Sequence, residues 1–181
     1  MPDRTIGVAV AVPEPYSSEL QGWRESFGDP LASAIPPHIT LLPPTEVEDT
    51  AMAQIEAHLA EVARAQSSFL THLRGTGTFR PVSPVVFVAL AEGIAGCERL
   101  EASIRSGPLD RELSFNYHPH VTVAHLLTDS RLDEAFDKLA GYDARFRVDG
   151  FALYEHGPDA VWRTRRQFCF DHDSRGGPAP G

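Results

Sequence analysis

Two histidines of this chain stand in the same short pattern, in which a threonine follows two residues later. His38 and Thr40 form the first copy, and His120 and Thr122 form the second. In both copies a proline precedes the histidine, and aliphatic residues alternate with the polar ones. One copy alone is typical of an ordinary half-buried strand. Two matched copies predict a functional site.

These residue types suit the cleavage of a phosphodiester. Because the ordinary pKa of histidine is about 6.5, a neutral imidazole can take a proton from water or a hydroxyl while a protonated one gives a proton to the leaving oxygen. Threonine hydroxyls can donate hydrogen bonds to the non-bridging oxygens, where negative charge builds in the transition state. The scheme requires neither a metal ion nor a cofactor, and we expect neither.

Strand geometry explains how these residues would converge. Successive side chains of a strand point to opposite faces, so His38 and Thr40 share one face, as do His120 and Thr122. A helix is expected to begin about eleven residues after His38 and about ten residues after His120. This repeated unit predicts two lobes related by a pseudo-twofold axis, with the imidazoles and hydroxyls facing one groove.

The rest of the chain predicts further strands and helices. We expect strands at residues 6–12, 38–42, 69–79, 85–90, 120–124, 146–155 and 161–170, with Pro43 and Pro44 ending the second of them. Apolar residues at helical spacing predict helices around residues 20–27, 52–62, 94–104 and 132–139. One domain is expected over residues 1–172, followed by a disordered tail at 173–181 that is rich in glycine and proline.

Composition narrows the range of partners. Acidic residues outnumber basic ones, 25 against 16, which gives a formal net charge of −9. Proteins that coat long nucleic acids rely on a basic surface, so that function is disfavoured, whereas a small phosphate ligand in a local pocket is not. No run approaches the roughly 20 apolar residues of a membrane span. We therefore expect a cytoplasmic monomer that acts on a small nucleotide or an RNA end, away from membranes.

The two motifs resemble those of the two-histidine (2H) phosphoesterase superfamily, and especially its 2′-5′ RNA ligase-like branch. Residues 35–42 and 119–124 carry the resemblance, which extends from about residue 4 to residue 170. It implies an α+β fold in which two antiparallel sheets with outer helices surround a central cleft. It also implies action on 2′,3′-cyclic phosphates or related phosphodiesters, and in some members a reversible 2′-5′ joining of RNA.

The same resemblance implies roles for the matching residues. His38 and His120 would be the acid–base pair, and Thr40 and Thr122 would bind the phosphate. Many relatives use the second-motif histidine as the base, which makes His120 the base and His38 the acid. Many RNA-acting relatives carry an arginine where this chain has His125, so RNA-end recognition is open.

Three further residues are candidates for contact with the substrate. His125 follows the second motif, Tyr117 precedes it, and Arg163 lies on the last expected strand. Each also has an ordinary explanation as a surface or core residue.

Two alternatives to this enzyme stay open at the level of sequence. A module of the same fold that only binds a nucleotide or RNA end is one, although binding alone does not need an acid–base pair. A metal site at His118, His120 and His125 is the other, although no acidic residue within the motif completes a ligand set. The sequence does not identify the substrate.

Overall fold

The computed structural model describes residues 3–171, and the expected tail at 173–181 lies outside them. The described residues form eight strands, four α-helices and two short 3₁₀ turns. The strands are β1 (Asp3–Ala11), β2 (His38–Glu48), β3 (Phe69–Thr78), β4 (Val85–Glu92), β5 (His120–His125), β6 (Asp143–Val148), β7 (Gly150–His156) and β8 (Trp162–Cys169). The helices are α1 (Tyr16–Phe27), α2 (Met52–Ala65), α3 (Ile94–Ile104) and α4 (Asp129–Lys138).

All eight strands belong to one antiparallel sheet in the order β6-β3-β4-β5-β2-β1-β7-β8. The two motif strands, β2 and β5, lie side by side at its centre. They are joined by a single residue pair, Ile39 with Val121. Each expected lobe is therefore one four-stranded half of a continuous sheet, and the α+β fold with outer helices around a cleft is confirmed.

Two of the helices, α1 and α3, bridge the two halves of the sheet. Helix α1, which leads into the first motif strand, packs against β5, and α3, which leads into the second, packs against β2. Their apolar side chains share one core with the inward residues of the strands, including the fully buried Ile39 and Val121. This exchange of helices holds the lobes together at the point where the sheet has only one pair.

Helix α1 differs in one respect from the expected amphipathic pattern. Its buried residues are Leu20, Arg24 and Phe27, whereas Trp23 is only partly buried. The helix ends at Gly28, whose φ of 81° lies in the left-handed region that glycine adopts without strain. A charged side chain thus occupies a position in the buried stripe, and it adjoins the site described below.

The expectation that Pro43 and Pro44 end the first motif strand is wrong. Strand β2 continues to Glu48, and its pairing with β1 shifts between Ile6 opposite Thr45 and Val8 opposite Leu42. The extra residue forms a bulge that accommodates the two prolines, which have no N–H to donate to a ladder.

The expected single strand over residues 146–155 is also wrong. Strand β6 ends at Val148 and pairs with β3, whereas β7 begins at Gly150 and pairs with β1 in the other lobe. Gly150 permits this crossing because a Cβ there would collide with the carbonyl oxygen of Phe168. Consecutive segments of chain thus supply the edge strand β6 of one lobe and the inner strand β7 of the other.

Candidate active site

The open face of the sheet forms a cavity of about 400 Å³ that extends over both lobes. Both histidines and both threonines of the two motifs line it. The alternation along each strand is as expected: His38, Thr40, His120 and Thr122 keep partial exposure, while the residues between them are buried. The structure therefore brings the four residues to one place, and their catalytic roles stay predictions.

The pairing of Ile39 with Val121 sets how the four polar residues face one another. In an antiparallel register through this pair, His38 lies across from Thr122, and Thr40 lies across from His120. The two histidines are then diagonal neighbours, whose Cα atoms lie about 7–8 Å apart in an ideal sheet. That spacing leaves room for a phosphate group between the imidazoles, flanked by a hydroxyl from each strand.

Each imidazole is held by a hydrogen bond to the backbone two residues earlier. Nδ1 of His38 lies 2.8 Å from the carbonyl oxygen of Pro36, and Nδ1 of His120 lies 2.7 Å from that of His118. A carbonyl oxygen only accepts, so Nδ1 carries the proton in both rings and donates it. Nε2 of each neutral ring is left as a free acceptor.

Burial and neighbouring positive charge lower the pKa of both motif histidines. Burial lowers the pKa of His38, and the nearby guanidinium of Arg24 lowers it further, against the opposing effect of the Pro36 carbonyl. Burial lowers the pKa of His120 to about 4, against the opposing effect of the hydrogen bond to the His118 carbonyl, and the charges of His118 and His38 lower this pKa further. The charge of one catalytic candidate therefore disfavours that of the other, as expected of two groups in one small site.

The imidazole of His120 packs against two aromatic rings. Its ring lies 4.9 Å from Phe79 and 5.1 Å from Phe87, measured between centroids, and His118 stands 3.4 Å away from it between the two Nδ1 atoms. Phe79 also lines the cavity, whereas Phe87 is buried. This packing restricts the orientation of the imidazole.

A buried ion pair behind the first motif was not predicted from the sequence. Arg24 and Asp29 lie 3.2 Å apart with side chains only 3% and 0% exposed, and both line the cavity. Arg24 also donates to the carbonyl oxygens of Leu31 and Ile35, at 2.8 and 2.6 Å. It therefore fixes the loop that ends in Pro36, whose carbonyl holds the ring of His38.

The other three candidates fall in different places. His125 lines the cavity, and its buried Nδ1 has no hydrogen-bond partner in the described part of the chain. Tyr117 donates its hydroxyl to the carbonyl oxygen of Thr40 at 2.8 Å and packs against the core, and it does not itself line the cavity. Arg163 forms an exposed ion pair with Asp159 and is likewise outside that lining.

An aromatic wall in the first lobe also went unpredicted. Trp162 and Tyr154 line the cavity beside Gly7 and Ala9 of β1. The sequence offers no local signal for them, because β7 and β8 reach the site only through the sheet.

The described residues give two further results. Between residues 3 and 171, no group of three or more histidine, cysteine or acidic side chains is arranged to hold a metal ion. In the same part of the chain, no helix has the length and apolar character needed to cross a membrane. The expected cytoplasmic location stays a prediction.

Comparison with other sequences finds a matching family model and relatives named as phosphoesterases. A model of the 2′-5′ RNA ligase superfamily matches residues 12–160. A Bacillus cytotoxicus protein named "Putative phosphoesterase" is 25% identical over 172 residues, which cover 94% of this chain and 99% of that protein. A Bacillus mycoides protein with the same kind of name is 24% identical over 165 residues, covering 90% and 95%.

Solved structures share the fold. E. coli LigT in complex with 3′-AMP superposes with a TM-score of 0.68 at 18% identity, covering 94% of this chain and 99% of that one. The protein TT0787 of Thermus thermophilus superposes with a TM-score of 0.62 at 25% identity, covering 93% and 100%.

The lobed sheet and the paired motifs define a phosphoesterase domain of the two-histidine type. The chain belongs to the 2′-5′ RNA ligase superfamily, and the resemblance inferred from its motifs is confirmed.

Proposed function

We propose that this protein is a metal-independent phosphoesterase that hydrolyses, or reversibly transesterifies, a cyclic or 2′-5′ phosphodiester of a nucleotide or RNA end. One observation carries the proposal. Both motif histidines line one cavity, and the same backbone hydrogen bond fixes Nδ1–H in each, so both Nε2 atoms are free to exchange protons with a bound substrate.

The reaction balances with these residues alone. The base, which we assign to His120, takes a proton at Nε2 from a water molecule as the water oxygen forms a bond to phosphorus. The acid, which we assign to His38, gives its Nε2 proton to the ribose oxygen as the bond from phosphorus to that oxygen breaks. The product is a phosphate monoester and a free hydroxyl, and a substrate hydroxyl in place of water gives transesterification.

The two threonines complete the site. The hydroxyls of Thr40 and Thr122 donate to the two non-bridging oxygens, whose negative charge increases in the transition state. A bound phosphodiester anion also favours the protonated form of His38, which burial and Arg24 disfavour in the free protein. The substrate therefore helps to create the acid that cleaves it.

Other findings support a small substrate and a single chain. The cavity volume of about 400 Å³ suits a nucleotide. E. coli LigT, which shares this fold, has been solved in complex with 3′-AMP and with NADP⁺. All four motif residues come from one chain, so the site needs no second copy, in line with a monomer.

The test is a panel of phosphodiesters assayed in the presence of a chelator. It includes nucleoside 2′,3′-cyclic phosphates, an ADP-ribose cyclic phosphate and a 2′-5′ dinucleotide, with phosphorus NMR to identify the hydroxyl that keeps the phosphate. We expect turnover of at least one compound, undiminished by the chelator. The absence of product despite equilibrium binding would show a binding module instead, and loss of activity in chelator would show a metal enzyme.

Asparagine variants isolate the proton transfers. His38→Asn and His120→Asn keep a side-chain N–H that can donate to the carbonyl of Pro36 or His118 but remove Nε2, and each is expected to lower kcat about 10²–10⁴-fold. His58→Gln is the matched control, because His58 bonds to the carbonyl of Ile104 and neither residue lines the cavity. Equal losses in all three variants would contradict the assigned roles.

A further inference from the structure

The two sides of the cavity differ in chemistry. The second-motif side presents Phe79, Ser83 and His125, and its aromatic ring is engaged in supporting His120. The first-motif side presents Trp162 and Tyr154. The indole of Trp162 packs edge-on against the ring of His156, at 4.9 Å between centroids. Trp162 and Tyr154 have no part in the proton transfers described above, so we expect these two side chains to have another function.

Trp162 is held by close contacts on the cavity side of the sheet. A Cβ atom on Gly7 would lie 3.3 Å from Cζ3 and 3.7 Å from Cη2 of the indole, so the ring rests on the β1 backbone. The backbone N–H of Trp162 donates to the carbonyl oxygen of Ala34 at 2.9 Å. The indole is thus fixed from two directions while it stays partly exposed.

The surroundings of this indole form a small apolar patch separate from the main core. Ala9, Ala152 and Tyr154 are buried and cluster with Trp162 on the cavity side, whereas the main core fills the helix side of the sheet. Core packing therefore does not explain the tryptophan. Fixed aromatic rings beside a phosphate site are suited to stacking with a nucleobase, a contact worth about 1–3 kcal/mol per base.

The register of the sheet gives the distance from this patch to the phosphate position. Thr40 pairs with Ala9 across β1, and Gly7, beneath the indole, lies two residues along the same strand. A strand spacing of about 4.8 Å and a two-residue rise of about 6.8 Å place the backbone of Gly7, on which the indole rests, roughly 8 Å from that of Thr40. That separation is within the reach of a single nucleoside.

We propose that Trp162 is a specificity-determining residue on which the base of the substrate stacks while its phosphate lies between His38 and His120. This inference rests on the proposed function and adds to it a requirement for a nucleobase and a direction, with the base toward β8. Tyr154 supports the indole from the neighbouring strand. A purine, having the larger ring, is held more tightly than a pyrimidine.

Fluorescence tests the contact without any need for turnover. The chain has two tryptophans, so Trp23→Phe leaves Trp162 as the only one. Saturable quenching by adenosine 2′-monophosphate, and none by inorganic phosphate, is expected in this variant. In the matched variant Trp162→Phe, the remaining Trp23 stacks on Phe27 outside the cavity and is expected not to respond. No quenching in Trp23→Phe, or equal quenching in both variants, overturns the inference.

Kinetics separate this inference from the proposed function. Trp162→Ala is expected to raise KM for a nucleoside 2′,3′-cyclic phosphate about 5- to 140-fold, which corresponds to the stacking energy, with a smaller change in kcat. KM for a base-free cyclic phosphate of glycerol is expected to stay unchanged. Turnover by the wild type with identical KM values in Trp162→Ala refutes the stacking role alone, whereas absence of turnover together with quenching refutes the proposed activity alone.

Discussion

Ile39 lies opposite Val121, and this is the one residue pair between β2 and β5 in the described part of the chain. Both side chains are fully buried on the helix side of the sheet. Their neighbours on each strand must then face the cavity, which places a histidine of one motif across from the threonine of the other. The near-symmetry of the site follows from this single junction.

The junction predicts that the two threonines contribute about equally. Thr40→Val and Thr122→Val each remove one hydroxyl with little change in shape, and each is expected to lower kcat about 10²–10³-fold because one donor to the developing phosphate charge is lost. Steady-state kinetics of the two variants test this expectation.

Thr71→Val is the matched control for this pair. Thr71 is a buried strand residue outside the cavity, and its hydroxyl has no hydrogen-bond partner among the described residues. Its activity is expected to equal that of the wild type. A loss tenfold greater for one motif threonine than for the other would argue against a phosphate held symmetrically between the strands.

The sequence predicts the motif faces because alternation along a strand is local. The period of two places His38 and Thr40 together without any knowledge of the partner strand. Local reasoning fails where a residue reaches the site through distant pairing. Trp162 lies on the edge strand β8 and lines the cavity only because β8 pairs with β7. Arg24 occupies a helix position at which a charged residue is ordinarily exposed. The prolines of β2 mislead because a bulge, which depends on β1, accommodates them.

The lowered pKa values of the two histidines predict an acidic optimum for kcat/KM. Both pKa values lie below 6.5 in the free protein, so near neutrality both rings are neutral and the acid is scarce. As pH falls below about 6.5, the singly protonated pair accumulates and kcat/KM rises, until protonation of the second ring lowers it again. We expect both limbs of the bell-shaped profile to lie below about 6.5.

The profile of kcat is expected to differ, because the bound phosphodiester anion stabilises the imidazolium. Its basic limb should therefore lie at higher pH than that of kcat/KM. Initial rates across a pH series, fitted separately for the two parameters, provide the measurement. Coincident basic limbs, or a basic limb of kcat/KM above pH about 7, would contradict the assignment of two buried, mutually repelling histidines.

The ion pair of Arg24 and Asp29 is expected to matter for stability. Arg24→Gln leaves a buried carboxylate without its partner, which is expected to lower the free energy of unfolding by about 3–5 kcal/mol. Asp29→Asn should have a comparable effect, and the double variant should recover part of the loss because neither charge then stays unpaired. Chemical denaturation of the three variants measures these changes.

The ion pair of Arg163 is the exposed control for the buried pair of Arg24 and Asp29. It pairs with Asp159 at 2.6 Å, but the two side chains are 61% and 50% exposed. Arg163→Gln is therefore expected to leave the free energy of unfolding essentially unchanged. Similar costs for Arg24→Gln and Arg163→Gln would show that burial does not set the strength of the pair.

The pKa of His120 also predicts how stability depends on pH. In the folded protein this pKa is lowered to about 4, whereas in the unfolded chain it takes the ordinary value of 6.5. Between these values the unfolded state binds a proton that the folded state does not, so the free energy of unfolding falls as pH decreases from about 6.5 toward 4. Above about 6.5 the contribution of His120 is constant. His38, whose pKa is also lowered, acts in the same direction.

Replacing the imidazole of His120 should remove its contribution to the pH dependence of the free energy of unfolding. His120→Asn cannot bind the proton, so the stability difference between wild type and variant is expected to shift against the wild type as pH falls through that range, by up to about 1.4 kcal/mol per pH unit for a fully linked proton. Denaturant unfolding of wild type, His120→Asn and His38→Asn/His120→Asn at several pH values measures the effect, and the double variant should show the flattest curve. Parallel curves for all three proteins would mean that neither imidazole is held neutral by its place between the two strands.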